Sequence, residues 1–185
     1  MTSLGGGEPR CLTDQPLGAD APVWSPDGRR LAWSARVPDP GRYGTKEIAA
    51  DGTEGDERKP DAEAPRLITE LQYRVDNLGY TRDRRRHLFV VDVPAPATDP
   101  AAAPLELPLT PAQLTDGDVA DLDPVWSPDG TRIAFVSARH DSREDDLRSA
   151  VYVVPADGAD AGSHPEPVAV TGGDRGEAAR GSRGV

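Results

Sequence analysis

Cysteine is nearly absent: Cys11 stands alone among 185 residues. One cysteine cannot close an intramolecular disulfide, and a cysteine-rich zinc site is excluded with it. Aromatic residues make up only 5% of the chain and hydrophobic residues 36%, a poor basis for a helical bundle. No apolar run approaches the roughly 18 residues that would span a membrane as a helix. The N-terminus, M-T-S-L-G-G-G-E-P-R-C, carries neither the basic nor the apolar stretch of a secretory leader, so the expected location is the cytoplasm. Lysine is scarce as well: of 21 basic residues only Lys46 and Lys59 are lysine. With 32 acidic residues the net charge is -11, which argues against nucleic acid as a partner.

Turn formers are abundant, with 19 glycines and 19 prolines. They fall into an order. P-V-W-S-P-D-G occurs at 22–28 and again at 124–130, an offset of 102 residues. The same offset aligns Leu12-Thr13-Asp14 with Leu114-Thr115-Asp116, and Arg30, Leu31, Ala32 and Trp33 with Arg132, Ile133, Ala134 and Phe135. A seven-residue identity extended in register on both sides marks an internal repeat.

Each copy reads as a β-hairpin. Val and Trp favour a strand. In Ser-Pro-Asp-Gly, proline fixes φ for the turn, aspartate bonds its own following backbone and glycine accepts positive φ. A second strand follows in both copies. Ser25 and Ser127 as nucleophiles, or Asp27 and Asp129 as ligands, are the functional alternatives; turn building accounts for all four.

Further strands are expected at 46–49, 66–69, 87–93, 113–115, 150–154 and 166–171, with a hairpin arm within 73–80. The expected fold is therefore all-β, a partial, open β-propeller of about three four-stranded blades over 1–171 (17–70, 71–115 and 119–171), with an unstructured tail at 172–185. An open arc of this kind leaves two apolar blade faces uncovered, and marginal solubility or association is expected of it.

Three charged clusters require a reading. Asp116, Asp118, Asp121 and Asp123 lack the order of a calcium loop and read as a solvated connection. Arg139, His140, Asp141, Arg143, Glu144, Asp145, Asp146 and Arg148 read as a salt-bridged loop, with contact to a substrate terminus or to a further domain as the alternative. Arg82, Arg84, Arg85, Arg86 and His87 read as a charged hairpin tip before the 87–93 strand. The histidines at 87, 140 and 164 are far apart in sequence, and no metal site or cofactor is expected from them. The expectation is no catalytic, cofactor-binding or metal-binding residue.

The pattern L-T-D…P-V-W-S-P-D-G resembles TolB-type, WD-like propeller repeats. P-R-L-I-T-E-L-Q-Y-R-V-D-N-L-G-Y-T-R-D-R-R-R-H-L-F-V-V-D-V (65–93) and the stretch 113–154 resemble the acylaminoacyl-peptidase branch of the prolyl oligopeptidase family. The resemblance implies an N-terminal propeller that restricts access of short or N-acylated peptides to an α/β-hydrolase domain carrying a Ser-Asp-His triad. No serine here has glycine at both −2 and +2, so the G-x-S-x-G elbow is missing and no family activity transfers to a residue of this chain. The expected role is a non-catalytic, substrate-gating propeller fragment of such a peptidase. Its partners would be the hydrolase domain and, through the parent enzyme, peptide substrate, with no membrane or nucleic acid. The alternative is a TolB-like propeller module for protein–protein interaction.

Overall fold

The computed structural model describes residues 9–94, 105–157 and 164–171. The expected tail at 172–185 lies outside them. Among the described residues the structure is all-β apart from one short 3-10 turn, Pro60–Ala62. No helix there is long and apolar enough to cross a membrane.

Two four-stranded antiparallel sheets carry the fold. The first is ordered β1 (Val23–Trp24), β2 (Arg30–Pro38), β7 (Arg84–Asp92), β8 (Ala112–Gln113). The second is a plain meander: β9 (Asp121–Trp126), β10 (Arg132–Ser137), β11 (Ala150–Pro155), β12 (Val168–Ala169). Residues between β2 and β7 form two small hairpins, β3 (Lys46–Ile48) with β4 (Glu54–Glu57), and β5 (Arg74–Val75) with β6 (Gly79–Tyr80).

This pairing corrects the expectation of three four-stranded units. The offset of 102 carries one four-stranded sheet onto the next. The third strand of the first sheet is β7, paired residue for residue with β2 from Arg30↔Asp92 to Pro38↔Arg84. Residues 46–49 do not supply it. Lys-Glu-Ile is exposed throughout and joins only its own hairpin partner, whereas Leu88-Phe89-Val90-Val91 can bury both faces of a central strand. Residues 66–69 form no strand, and Arg84, Arg85 and Arg86 belong to β7 rather than to a hairpin tip.

The two repeat motifs fold alike. Gly28 N–H donates to Ser25 O and Gly130 N–H to Ser127 O, each at 2.9 Å. Both glycines have φ of 69°. A Cβ at Gly28 meets nothing within 4 Å, so Gly28→Ala tests backbone strain alone. The expected loss is about 1–2 kcal/mol, the left-handed penalty for a side-chain-bearing residue. Chemical denaturation of the variant checks it.

Period-two alternation assigns the faces. Ala32, Leu88, Val90 and Leu114 of the first sheet pack on Ile133, Phe135, Tyr152 and Val154 of the second, and this is the main core. Arg30 lies over the Trp126 ring at 4.8 Å, and Trp126 Nε1 donates to Val23 O at 3.1 Å, tying the two turn ends together. The far face of the first sheet, with Leu31, Trp33, Ala35, Phe89 and Val91, runs on to Val37 and Val93 and is covered by Leu12 and Leu109. Leu109 N–H donates to Leu12 O across this cover.

The far face of the second sheet has no such cover among the described residues. Val125, Ala134, Val153 and Val168 lie in one row across all four strands, and Val125 and Val168 are 60% and 65% exposed. One apolar face is therefore open, where the sequence reading expects two.

Candidate functional site: a charged cleft at one end of the sheets

The Ser-Pro-Asp-Gly turns hold their own polar groups. Ser25 Oγ donates to Asp27 Oδ1 at 2.6 Å and accepts from Arg30 N–H at 2.9 Å. Ser127 Oγ likewise donates to Asp129 and accepts from Arg132 N–H at 3.0 Å. The bonds from Ser127 and Thr131 hold the Asp129 carboxyl down at about 2. Neither serine has a base beside it; both are spent on turn geometry.

The opposite end of the sheets is the charged one. Here β2 ends, β7 and β9 begin, and β10 runs into the loop at 138–149. Three adjoining cavities of about 250, 390 and 310 Å³ open at this end, and Arg82 and Asp118 line all of them. The largest is bounded further by Asp39, Arg85, His87 and Gln113.

Arg82 organises the cleft. Its guanidinium meets Glu70, Asp118 and Glu144, three carboxylates from three separate segments. Arg85 Nε adds a bond to Asp118 at 2.9 Å. Gln72 donates to the carbonyls of Arg143, Glu144 and Asp146, so the inserted segment is sewn to the loop of the second sheet. Beside it Arg66 binds Asp83 at 2.6 Å and Glu63 at 3.0 Å and lies over the rings of Tyr43 and Tyr80. Burial, together with the bond that Tyr43 donates to Asp83, pushes the Tyr43 phenol up.

Asp121 sits deepest. It is fully buried, and Arg139 grips it with Nε at 3.1 Å and Nη2 at 2.7 Å. His87 Nδ1 lies 3.5 Å from Oδ2. Burial works to raise this carboxyl, but the bonds from His87 and Arg139 outweigh it and hold it below the usual aspartate range. Ser34 Oγ donates to the Asp121 carbonyl at 2.8 Å, linking β2 to β9.

The sequence clusters come apart in space. Asp116, Asp118, Asp121 and Asp123 do not converge: Asp118 turns to Arg82 and Arg85, Asp121 to Arg139 and His87, Asp116 lies 4.0 Å from His164, and Asp123 occupies a positive-φ position in β9. Among the described residues no three His, Cys, Asp or Glu side chains are grouped as a metal site would need. In the 139–148 loop, Asp146 accepts from Ser142 at 3.0 Å, contacts His140 Nε2 at 2.9 Å and binds Arg148 Nε at 2.9 Å. The aspartate thus lies between serine and histidine, which is the wrong order for a nucleophile that needs its base alongside. Its carboxyl is held well below the usual range by the bonds from Arg148, then His140.

Sequence reading did not single out Glu70, Gln72, Asp83 or Tyr43. Tyr43, Glu70 and Gln72 lie in the segment between β2 and β7, away in sequence from the partners they meet, and Asp83, though set among the arginines at 82–86, meets Arg66 and Tyr43 instead. An isolated carboxylate or amide in a loop carries no local signal.

No family model matches the chain. Over 157 residues it is 26% identical to the uncharacterized peptidase YuxL of Bacillus subtilis (strain 168). That alignment takes in 83% of this chain and 20% of the peptidase, so the chain spans about a fifth of the length of the relative it matches. Over most of its length, then, the chain is similar to one part of a peptidase, at a level that relates the two sequences weakly.

Proposed function

We propose that the chain is a non-catalytic, substrate-gating β-propeller portion of a serine peptidase acting on short or N-acylated peptides. One observation carries this reading: the repeat forms a four-stranded antiparallel sheet twice, the sheets pack face to face, and the outer face of the second stays apolar and open. Successive propeller blades bury one another in this way. The similarity to a peptidase over most of the chain supports the enzyme class. The charged cleft, roofed by the inserted segment 39–83, is the part of this chain suited to meeting a polar peptide. It offers ion pairs and no activated nucleophile.

The test joins this chain to the coding sequence downstream of it in the genome. The expected frame encodes a hydrolase domain with a G-x-S-x-G elbow, and the joined protein cleaves N-acetyl-aminoacyl nitroanilides. Deleting residues 46–57, the outer hairpin of the inserted segment, should raise turnover of long peptides relative to short ones at least several-fold. The isolated chain should show no turnover at all. Activity that co-purifies with the 185 residues alone, or a deletion that leaves the length preference unchanged, overturns the gating role.

A TolB-like interaction module is the second reading. The observation favouring it is the set of bare leucines around the cleft: Leu67, Leu71 and Leu147 are 81%, 85% and 92% exposed. Such side chains suit a protein contact where they join into one apolar patch. A downstream frame without a hydrolase would decide for this module.

A further inference from the structure

Arg36 and Arg86 occupy directly opposed positions on β2 and β7. Side chains so placed have Cβ atoms about 5 Å apart, and like charges there repel. Arg84 enters the same field, two residues along β7; burial, then Arg86 and Arg84, depress the Arg36 guanidinium. Among the described residues the group makes one ion pair, Arg86 Nη2 to Asp20 Oδ1 at 3.2 Å, and the Asp20 side chain is 43% exposed. Asp83 reaches Arg84 only by way of the Tyr43 ring. Arg84 spends its donors on the carbonyls of Tyr80 and Leu78 and lies over the Tyr43 ring. Arg36 makes one long bond, 3.4 Å, to Arg84 O. Arg86 Nε is buried without a hydrogen-bond partner among the described residues. In a chain with 32 acidic and 21 basic residues, where Arg82 alone meets three carboxylates, three neighbouring arginines that share one ion pair among the described residues are anomalous.

We infer that Arg36 and Arg86 form an oxyanion-binding site that takes a carboxylate or phosphate group between their guanidinium forks. A planar fork matches a two-oxygen ligand, and each charge-assisted bond is stronger than a neutral one. Asp20 is the internal group that competes for Arg86. A peptide's terminal carboxylate and a free phosphate share the required chemistry. The site does not depend on the peptidase reading, since its residues and its test stand without any turnover.

The experiment is calorimetry at low ionic strength with the intact chain, using three probes: inorganic phosphate, N-acetyl-tetra-alanine with a free C-terminus, and the same peptide as its amide. Binding of the free acid but not the amide identifies a peptide terminus as the source; binding of phosphate alone identifies phosphate. In either case Arg36→Gln and Arg86→Gln should weaken binding at least about tenfold, and Asp20→Asn should tighten it. Arg29→Gln, outside the cluster, should change nothing. Without anion, Arg36→Gln should melt no lower than the parent chain, because it removes repulsion. Failure of all three probes, equal loss in Arg29→Gln, or a lower melting temperature for anion-free Arg36→Gln overturns the site.

Discussion

Asp121→Ala is expected to lower the unfolding free energy by about 3–5 kcal/mol, the usual consequence of removing one partner from a buried ion pair. The carboxylate is fully buried and Arg139 is largely so, and the substitution strands the guanidinium. His87 Nδ1 and the hydroxyl of Thr115 lose a partner in the same step. Against a typical domain stability of about 5–15 kcal/mol this is a large fraction, and urea titration measures it directly.

The same residue sets an acid limb. Its carboxyl in the folded chain lies below the ordinary aspartate value. The stabilisation is therefore complete above that ordinary value and lost as pH falls through the lowered one. Asp121→Asn should melt at a lower temperature near neutrality and show a flatter decline below pH 4 than the parent. An unchanged acid limb would assign acid sensitivity to other carboxylates.

Phe135→Ala is expected to destabilise by a similar amount, about 3–5 kcal/mol. Phe135 is 1% exposed, stacks on Tyr152 with centroids 5.9 Å apart, and belongs to the core between the sheets. Val125→Ala, on the open face of the same sheet, should change stability by no more than about 0.5 kcal/mol, the range of surface substitutions. The pair of variants tests which face of β9–β12 is core. Equal losses would mean that the open face is covered in solution.

What sequence could show was local. The two Ser-Pro-Asp-Gly hairpins, the run 132–137 and the run 150–154 were legible because their partners lie close by and their turns have distinct chemistry. The nine-residue pairing of β2 with β7 was not. Its strands are separated by residues 39–83, and the start of β7 is masked by three arginines that look like a solvated tip. Lys46-Glu47-Ile48 sat where a third strand belonged by counting, yet it lacks the apolar side chains a central strand must bury. The cleft was hidden for the same reason: Arg82 was visible as a charge, but its partners Glu70 and Glu144 become neighbours only once the inserted segment is laid against the second sheet.

That separation between β2 and β7 also orders events in time. The second sheet is built from consecutive neighbours, each joined to the next by a short or moderate connection. The first must close residues 39–83 into a loop before its central ladder gains a single pair, and that entropy is spent before contacts reward it. During synthesis β1 and β2 emerge early and wait, as a bare hairpin with Trp33 uncovered, until β7 arrives. The interval before β7 arrives is when this chain is most exposed to wrong pairings, so a charged strand start at Arg84-Arg85-Arg86 is well placed, since it discourages apolar contact in the wrong register.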